Sequence, residues 1–186
     1  PLKSAKEMIE KASEAGADAI KFQSYTAEKL ALENSPAYWD LEEENTDSQY
    51  ELFKEYDSFG ESEYIELSKK SEEENILFLS TPFDRTTADY LEDLVPVFKI
   101  ASGDITNLPF LKYIAKKDKP IFLSTGASRL GEIEDAVNEI EKVGNKNICL
   151  LHCILDYPTS LHDANLRMIE HLKKTFPYLV GYSDHT

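Results

Sequence analysis

The chain of 186 residues carries 35 acidic and 20 basic side chains, which gives a formal net charge of -15 at pH 7. Such a charge opposes binding to nucleic acid or to an anionic membrane surface, because both present negative phosphates. The sequence shows no secretory signal at its first residue and no run of about eighteen apolar residues for a membrane helix. We therefore expect a single cytoplasmic domain over residues 1–186 that binds neither nucleic acid nor membrane.

Helical periodicity and short apolar runs alternate along the chain. Residues 2–15 predict a helix that ends at Gly16, and the following ADAIKFQ predicts a buried strand with polar residues at its end. Further helices are predicted over 61–74, 86–94, 107–117, 130–143 and 164–175. They lead in turn into the strands ILFLSTPF, VFKIASGD, IFLSTG, ICLLHC and LVGYSDHT.

This alternation predicts a parallel sheet, either doubly wound or closed into a barrel. A doubly wound dinucleotide fold carries a Gly-rich turn after its first strand, and no G-x-G-x-x-G occurs among the seven glycines. Polar residues instead end nearly every strand, as in a (β/α)8 TIM barrel whose active site draws on all strand ends. Since six strands are visible, we expect a truncated barrel in which the first and eighth strands are absent.

Two segments stand outside the repeating pattern. Residues 31–60 form a long acidic connection, and long loops at this face of a barrel tend to be lids or binding elements. For most of its residues we favour a solvated excursion that carries a small hydrophobic cluster around Tyr38, Trp39 and Phe53. The two cysteines, Cys149 and Cys153, are four residues apart on a predicted strand, too distant for a disulfide. They are interpreted as buried thiols in a reducing compartment.

Lys21 and Lys99 each lie near the end of an apolar strand, in AIKFQ and VFKIAS. Burying an ammonium group without a partner costs several kcal/mol, so lysine is uncommon there. Two lysines in corresponding places suggest one shared anion. An internal salt bridge or a side chain that reaches the rim is the structural alternative, and a Schiff-base lysine of an aldolase is another.

Hydroxyl side chains recur at the strand ends. They are Ser80, Thr81, Ser102, Ser124, Thr125 and Ser183. Each one alone is ordinary turn chemistry. Their recurrence on four strands, together with the two lysines, outlines a site for a small, doubly anionic molecule.

The remaining candidates are acids and histidines. Asp104 offers an acid, while Asp184 and His185 after the last strand offer a general base and a metal ligand. One histidine does not make a metal site, and the sequence contains no H-x-E-x-H type cluster. His152 is interpreted as a core histidine, and the remaining two histidines, His162 and His171, as surface residues.

The motifs KFQ, FLSTPFD, FKIASGDITNLP, LSTGAS, LLHC-x-x-x-YP and GYSDHT, in this order, resemble the sialic acid synthase (NeuB) family over nearly the whole chain. The resemblance implies a TIM-barrel transferase that condenses phosphoenolpyruvate with an N-acetylated amino sugar, typically N-acetylmannosamine. The products are a nonulosonic acid and phosphate. It also implies a divalent metal (Mn²⁺ or Mg²⁺), a homodimer for the full-length protein and a role in polysaccharide biosynthesis.

Residue roles follow from the same resemblance. Phosphoenolpyruvate is expected to contact Lys21, Lys99, Thr81, Ser102, Ser124 and Ser183. The amino sugar is expected to contact Gln23, Phe83, Asp104 and Tyr157, with Ser48 as a further substrate-binding residue in the long connection. His185 is expected to bind the metal, and the catalytic residues are Lys21, Lys99 and Asp104. In the mechanism that the resemblance implies, C3 of phosphoenolpyruvate attacks the sugar aldehyde, which a divalent metal would polarise, and water captures the resulting cation at C2.

The sequence also departs from the family pattern. Asp104 stands where a glutamate is common, and Leu155 stands where some members have a phosphate-contacting asparagine, a role that leucine cannot take. Asp156 beside it is a candidate for reading another sugar substituent, which suggests a legionaminic or pseudaminic type of product. The family's first strand with its catalytic glutamate, its eighth strand with a second metal histidine and its C-terminal antifreeze-like domain are not in the sequence, so we expect the chain alone to be weak or inactive.

Two other functions stay open. One is a lysine Schiff-base aldolase on the same barrel, and the other is a non-catalytic barrel that binds an anionic metabolite.

Overall fold

The computed structural model describes residues 1–42 and 44–186. It divides into two compact units, Pro1–Val95 and Pro96–Thr186. Glu43, within the long connection, lies outside the described residues. The expectation of a single domain over residues 1–186 stays a prediction.

The first unit contains two parallel strands and five helices among its described residues. In chain order they are α1 (Leu2–Glu14), β1 (Ala19–Ser24), α2 (Ala27–Leu30), α3 (Gln49–Tyr56), α4 (Glu61–Glu73), β2 (Leu77–Pro82) and α5 (Arg85–Leu91). Strand β1 pairs with β2 so that Lys21 lies beside Leu79 and Gln23 beside Thr81. The helices cover this pair with apolar stripes, of which Ile9 in α1 and Leu67 in α4 are fully buried.

The second unit is a four-stranded parallel sheet with its helices. Its elements are β3 (Phe98–Ile100), a 3₁₀ turn (Ser102–Asp104), α6 (Leu108–Ala115), β4 (Ile121–Ser124), α7 (Leu130–Glu141), β5 (Ile148–His152), α8 (Arg167–Thr175) and β6 (Leu179–Tyr182). The strands lie in the order β3-β4-β5-β6, and all three ladders are parallel. Their carboxyl ends therefore meet at one edge of this sheet.

The two faces of the four-stranded sheet differ in character. Ile100, Leu123 and Leu150 form one row across three strands and are completely buried. Successive side chains of a strand point to opposite faces, so the neighbouring residues Lys99 and Phe122 lie on the other face, where they are half-buried. One face thus forms the core of the unit, and the other accepts a charged side chain.

The parallel α/β architecture predicted from the sequence is confirmed, and each of the six predicted strands is present. Closure into a TIM barrel stays a prediction. The sequence analysis did not predict α2, which lies directly before the long connection, or α3, which lies within it. In that connection the rings of Tyr38 and Trp39 meet edge to face at 5.0 Å, while Phe53 packs against Tyr25 at 5.8 Å.

Both cysteines are free, and Cys153 is buried as predicted, whereas Cys149 is only half-buried. His152 is a core residue whose Nε2 lies 2.9 Å from the carbonyl oxygen of Ala164, and the other two predicted surface histidines are exposed. Within the described ranges, no helix is both long and apolar enough to cross a membrane.

Candidate functional site

Lys21 occupies the middle of β1, with Leu79 of β2 beside it. Its side chain keeps contact with solvent, but the surrounding protein atoms desolvate the amino group and lower its pKa. Desolvation has this effect because it disfavours the charged form. A lysine in this environment gains more from an anionic ligand than a fully hydrated one does.

Gln23 and Thr81 lie side by side at the carboxyl ends of β1 and β2. Thr81 is buried, while the Gln23 side chain is exposed and borders an open groove of about 340 Å³. The hydroxyl of Tyr64 in α4 donates to the backbone carbonyl of Gln23 at 2.7 Å. This bond ties the end of β1 to α4.

The neighbouring serines of the first unit bond to each other. Ser24 Oγ and Ser80 Oγ lie 2.7 Å apart, and both residues are completely buried. Phe83 follows directly, with its backbone N–H bonded to the carbonyl of Ser24 and its ring edge to face with Tyr25 at 6.1 Å. The strand ends of this unit are therefore tied together by a buried hydroxyl pair.

The position of Ser48 gives this residue a structural role. It is the N-cap of α3, and its Oγ accepts a hydrogen bond from the backbone N–H of Glu51 at 3.4 Å. Serine is among the preferred N-cap residues because it satisfies a backbone donor of the first turn. The substrate-binding role that the resemblance implies for Ser48 stays a prediction.

In the second unit, Lys99 and Ser124 lie at the ends of neighbouring strands. The Lys99 amino group donates to the carbonyl oxygen of Ile100 at 3.3 Å. Ser124 is the last residue of β4, is almost fully buried and lies beside Leu151 of β5. Both are on the face opposite the apolar core row.

Ser102 connects three strand ends of the second unit. It begins the 3₁₀ turn after β3 and is 7% exposed. Its Oγ accepts the backbone N–H of Gly126, after β4, at 2.9 Å and lies 3.2 Å from the Sγ of Cys153, after β5. A Cβ on Gly126 would lie 2.9 Å from that sulfur and 3.0 Å from that oxygen, so only glycine fits.

Asp104 ends the same 3₁₀ turn. Burial raises the pKa of its carboxyl group, while a hydrogen bond from Asn107 Nδ2 to its Oδ1 at 3.2 Å opposes part of this shift. A carboxyl group whose pKa is raised holds a proton more readily, which is the property of a general acid.

His185 is held between two segments of the second unit. Its Nδ1 lies 2.6 Å from the carbonyl oxygen of Ile154, its Nε2 lies 3.2 Å from Ser183 Oγ, and its ring stacks on Tyr157 at 4.3 Å. Because a carbonyl only accepts, Nδ1 carries the proton and Nε2 presents its lone pair. The Tyr157–Pro158 peptide bond in this segment is cis.

His185 is the one predicted metal ligand, and its geometry suits that role. A backbone carbonyl that fixes the imidazole tautomer is the usual partner of a metal-binding histidine. In residues 1–42 and 44–186, however, no group of three His, Cys, Asp or Glu side chains comes close enough to hold an ion. The described residues do not by themselves form a metal centre, and the metal stays a prediction.

The sequence analysis missed the residues that hold the predicted ones in place. Gly126, Cys153 and Asn107 contact Ser102 or Asp104, yet none was singled out for this role. The glycine of LSTG, directly after a strand, was the one available signal. The LLHC and YP motifs drew attention to the segment after β5. Its contacts with Ser102 and His185, however, join residues far apart in sequence, which local motifs do not reveal.

Comparison with known protein families agrees with the motif resemblance. A family model described as the NeuB family matches residues 8–186. The match covers nearly the whole chain, so the protein belongs to the NeuB family. The family predicted from the ordered strand-end motifs is thereby confirmed.

Individual relatives agree with this assignment. The chain is 46% identical over 192 residues to an N,N'-diacetyllegionaminic acid synthase of Campylobacter jejuni, covering 100% of this chain and 57% of that protein. It is 36% identical over 190 residues to the N-acetylneuraminate-9-phosphate synthase of Homo sapiens, covering 97% and 51%. A crystal structure of an N-acetylneuraminic acid (sialic acid) synthetase from Leptospira borgpetersenii in complex with citrate matches with a TM-score of 0.88 at 37% identity, covering 100% of this chain and 60% of that one. The chain thus spans little more than half the length of these proteins.

Proposed function

We propose that the protein condenses phosphoenolpyruvate with N-acetylmannosamine or a related acetamido hexose, giving a nonulosonic acid and phosphate. The observation that carries this proposal is the set of hydroxyl donors at the carboxyl ends of three strands of one parallel sheet, β3, β4 and β6, in a member of the NeuB family. These donors are the hydroxyls of Ser102, Ser124 and Ser183. Because the chain spans only part of its relatives, the proposal concerns the whole protein.

The donors suit an anionic substrate. Hydroxyls held at strand ends stabilise phosphate or carboxylate oxygens without having to reorganise during the reaction. Lys99 supplies a positive charge near the end of β3, and a bond from its amino group to a charged oxygen is stronger than one to a neutral carbonyl. In the first unit we propose that Lys21, in the middle of β1, and Thr81, near the end of β2, also contact the anionic substrate.

The proposed reaction needs proton transfer as well as charge stabilisation. C3 of phosphoenolpyruvate forms a bond to the aldehyde carbon, whose oxygen takes a proton, and the cation left at C2 is captured by water. Loss of a proton and cleavage of the C2–O bond to phosphate then give the 2-keto acid. We propose that Asp104 exchanges protons in these steps, since burial raises the pKa of its carboxyl group.

We propose an acceptor with two acetamido groups in preference to N-acetylmannosamine. In support, the relative that shares 46% identity is named an N,N'-diacetyllegionaminic acid synthase, whereas the neuraminate-9-phosphate synthase shares 36%. In the segment after β5, Leu155 and Asp156 are exposed. The Asp156 carboxylate can accept a hydrogen bond from the N–H of a second acetamido group.

The remaining parts of the proposal concern the whole protein. We propose that the six strands belong to a (β/α)8 barrel and that the protein acts as a homodimer. Gln23, Phe83 and Tyr157 are the proposed sugar contacts. His185 is the proposed donor to a divalent metal through Nε2, which would exchange its contact with Ser183 Oγ for the ion.

A substrate panel tests the proposed function. The full-length gene product and the 186-residue chain are assayed for phosphate release from phosphoenolpyruvate, with Mn²⁺ or Mg²⁺ and a series of 2-acetamido and 2,4-diacetamido hexoses. We expect release that depends on the sugar and is fastest with a diacetamido hexose. Binding of phosphoenolpyruvate without turnover on any sugar would instead support the non-catalytic alternative.

One observation favours a second candidate. A lysine with a lowered pKa, as found for Lys21, is also what a Schiff-base aldolase requires. Borohydride reduction in the presence of pyruvate, followed by mass spectrometry, separates the two functions. We expect no adduct. A covalent adduct on Lys21 or Lys99 would show that the protein acts as a Schiff-base aldolase and would rule out the proposed condensation.

A further inference from the structure

The thiol of Cys153 lies in contact with the hydroxyl of Ser102 and has no role in the proposed reaction. Its Sγ is 3.2 Å from Ser102 Oγ, and the cysteine is 3% exposed. Ser102 Oγ also accepts the backbone N–H of Gly126 at 2.9 Å. A hydroxyl has one proton to give and two lone pairs to receive, so these two contacts determine what Ser102 can still offer.

Two proton arrangements are compatible with this geometry. In one, the Cys153 S–H donates to Ser102 Oγ, both lone pairs are occupied, and the Ser102 proton is left to point elsewhere. In the other, Ser102 donates its proton to the Cys153 sulfur. One lone pair of its oxygen then accepts the Gly126 N–H, and the second lone pair is left to face any ligand. An anionic ligand is attracted by the first arrangement and repelled by the second.

We propose that Cys153 is a positioning residue that donates its thiol proton to Ser102 and thereby makes Ser102 a hydrogen-bond donor to the anionic substrate. The inference rests on the proposed function, in which Ser102 contacts phosphoenolpyruvate. Cys153 does not touch the substrate. It acts by occupying the lone pair that would otherwise face the anion.

Close packing keeps this arrangement in place. The thiol and the hydroxyl both press against Gly126, where a Cβ would meet them at 2.9 and 3.0 Å, and Leu155 Cγ at 3.1 Å. The sulfur and the oxygen are therefore held in contact, and in the proposed arrangement the Ser102 proton points away from the two groups that donate to its oxygen. A hydroxyl that is oriented before the ligand arrives loses less entropy on binding.

The test compares C153A, C153S and C149A in phosphoenolpyruvate binding by titration calorimetry and in steady-state kinetics on the full-length gene product. C153A removes the donor, so we expect the dissociation constant and the KM for phosphoenolpyruvate to rise about three- to tenfold, with kcat and the KM for the sugar nearly unchanged. C153S restores a donor and should bind as the wild type does. C149A is the matched control, because Cys149 is the other free cysteine and its thiol contacts the Leu150 carbonyl instead.

A double-mutant cycle with S102A separates positioning from general damage. In the S102A background, C153A should have no further effect on phosphoenolpyruvate affinity, because the hydroxyl that it orients is gone. Unchanged or tighter binding by C153A, or an additive cycle, would overturn the inference. If S102A itself leaves the affinity unchanged, the proposed site is at fault instead. Should C153A fail to fold, C153V fills the same volume without a donor and is read in the same way.

Discussion

The two units use hydroxyl groups at their strand ends in different ways. In the first unit, Ser24 and Ser80 bond to each other at 2.7 Å and are sealed from solvent. In the second unit, Ser102 receives a backbone N–H and lies against a thiol. In the buried pair each hydroxyl already has the other as a partner inside the fold, whereas a hydroxyl that accepts from two donors keeps its proton for a ligand. Residues of the same type at corresponding strand ends therefore serve stability in one unit and, as proposed, binding in the other.

The largest expected effect tests the acid of the second unit. We expect D104N to lower kcat about 10²- to 10⁴-fold, the usual contribution of a general acid or base. The amide still accepts the bond from Asn107, so the local structure is retained. Steady-state kinetics measure the loss, with D163N, a change at an exposed aspartate, as control.

The same variant has a predicted signature in stability. Burial raises the pKa of Asp104 above its ordinary value of 3.8, so the ionised form weakens the fold. The stability from the neutral form is complete below that value and is lost as the pH rises through the folded-state pKa. D104N should therefore be more stable than the wild type at pH 7 in urea unfolding, with the difference shrinking as the pH falls. A destabilised D104N would mean that the carboxylate is structural.

The next effect tests Lys21 in the first unit. We expect K21M to weaken phosphoenolpyruvate binding about ten- to a hundredfold, since a hydrogen bond to a charged group is lost. Because desolvation lowers the pKa of Lys21, its charged form opposes folding at neutral pH. K21M should thus unfold at higher urea at pH 7, and the difference should narrow as the pH approaches 10.5, the ordinary lysine value. Calorimetry and urea titrations measure both, and K69M, at an exposed lysine, should change neither.

Much of this organisation was readable in the sequence. Alternating apolar runs and helical periods predicted each of the six strands, because parallel strands buried on both faces form short apolar segments. The polar residues after those runs, such as Lys99 and Ser102, were found for the same reason. Helix α3 was missed although Ser48 and the spacing of Tyr50 and Phe53 indicated it, since the acidic composition around it suggested a loop.

The contacts that orient the candidate residues were not readable. Ser102 meets Gly126 and Cys153 across separations of 24 and 51 residues. Such contacts depend on the order of strands in the sheet and on the register of each ladder, which local patterns do not contain. The candidate residues were therefore predictable, while their hydrogen-bond partners required the fold.

A third prediction concerns the crowded strand ends of the second unit. We expect G126A to lower stability by about 1–3 kcal/mol and to raise the KM for phosphoenolpyruvate, because an added methyl group displaces the Cys153 thiol and the Ser102 hydroxyl. Gly103 is the matched control, since a Cβ there meets nothing within 4 Å. Equal behaviour of G126A and G103A in thermal melts and kinetics would show that the packing around Ser102 is loose.

A fourth prediction addresses the hydroxyl pair of the first unit. S24A leaves the Ser80 hydroxyl buried without its partner, which should cost about 1–3 kcal/mol of unfolding free energy. Phosphoenolpyruvate affinity of the folded protein should not change, in contrast to S102A. The S24A/S80A double variant should cost less than the sum of the single changes, because no orphaned hydroxyl remains. A loss of affinity in S24A would mean that both units use their serines for binding.

The smallest expected effect lies in α2, directly before the long connection of the first unit. Lys29 in α2 contacts Asp84 Oδ1 at 3.2 Å and Thr86 Oγ1 at 3.0 Å, but its side chain is 45% exposed. Water and salt screen such a pair, so K29M should cost less than about 1 kcal/mol, and the cost should fade in concentrated salt. Asp84 is also the N-cap of α5 and accepts the N–H groups of Thr86 and Thr87, which makes D84A more costly at about 0.5–2 kcal/mol. If K29M costs as much as D84A at high salt, the lysine anchors the connection by packing as well as by charge, and the long connection would then belong to the rigid part of the first unit.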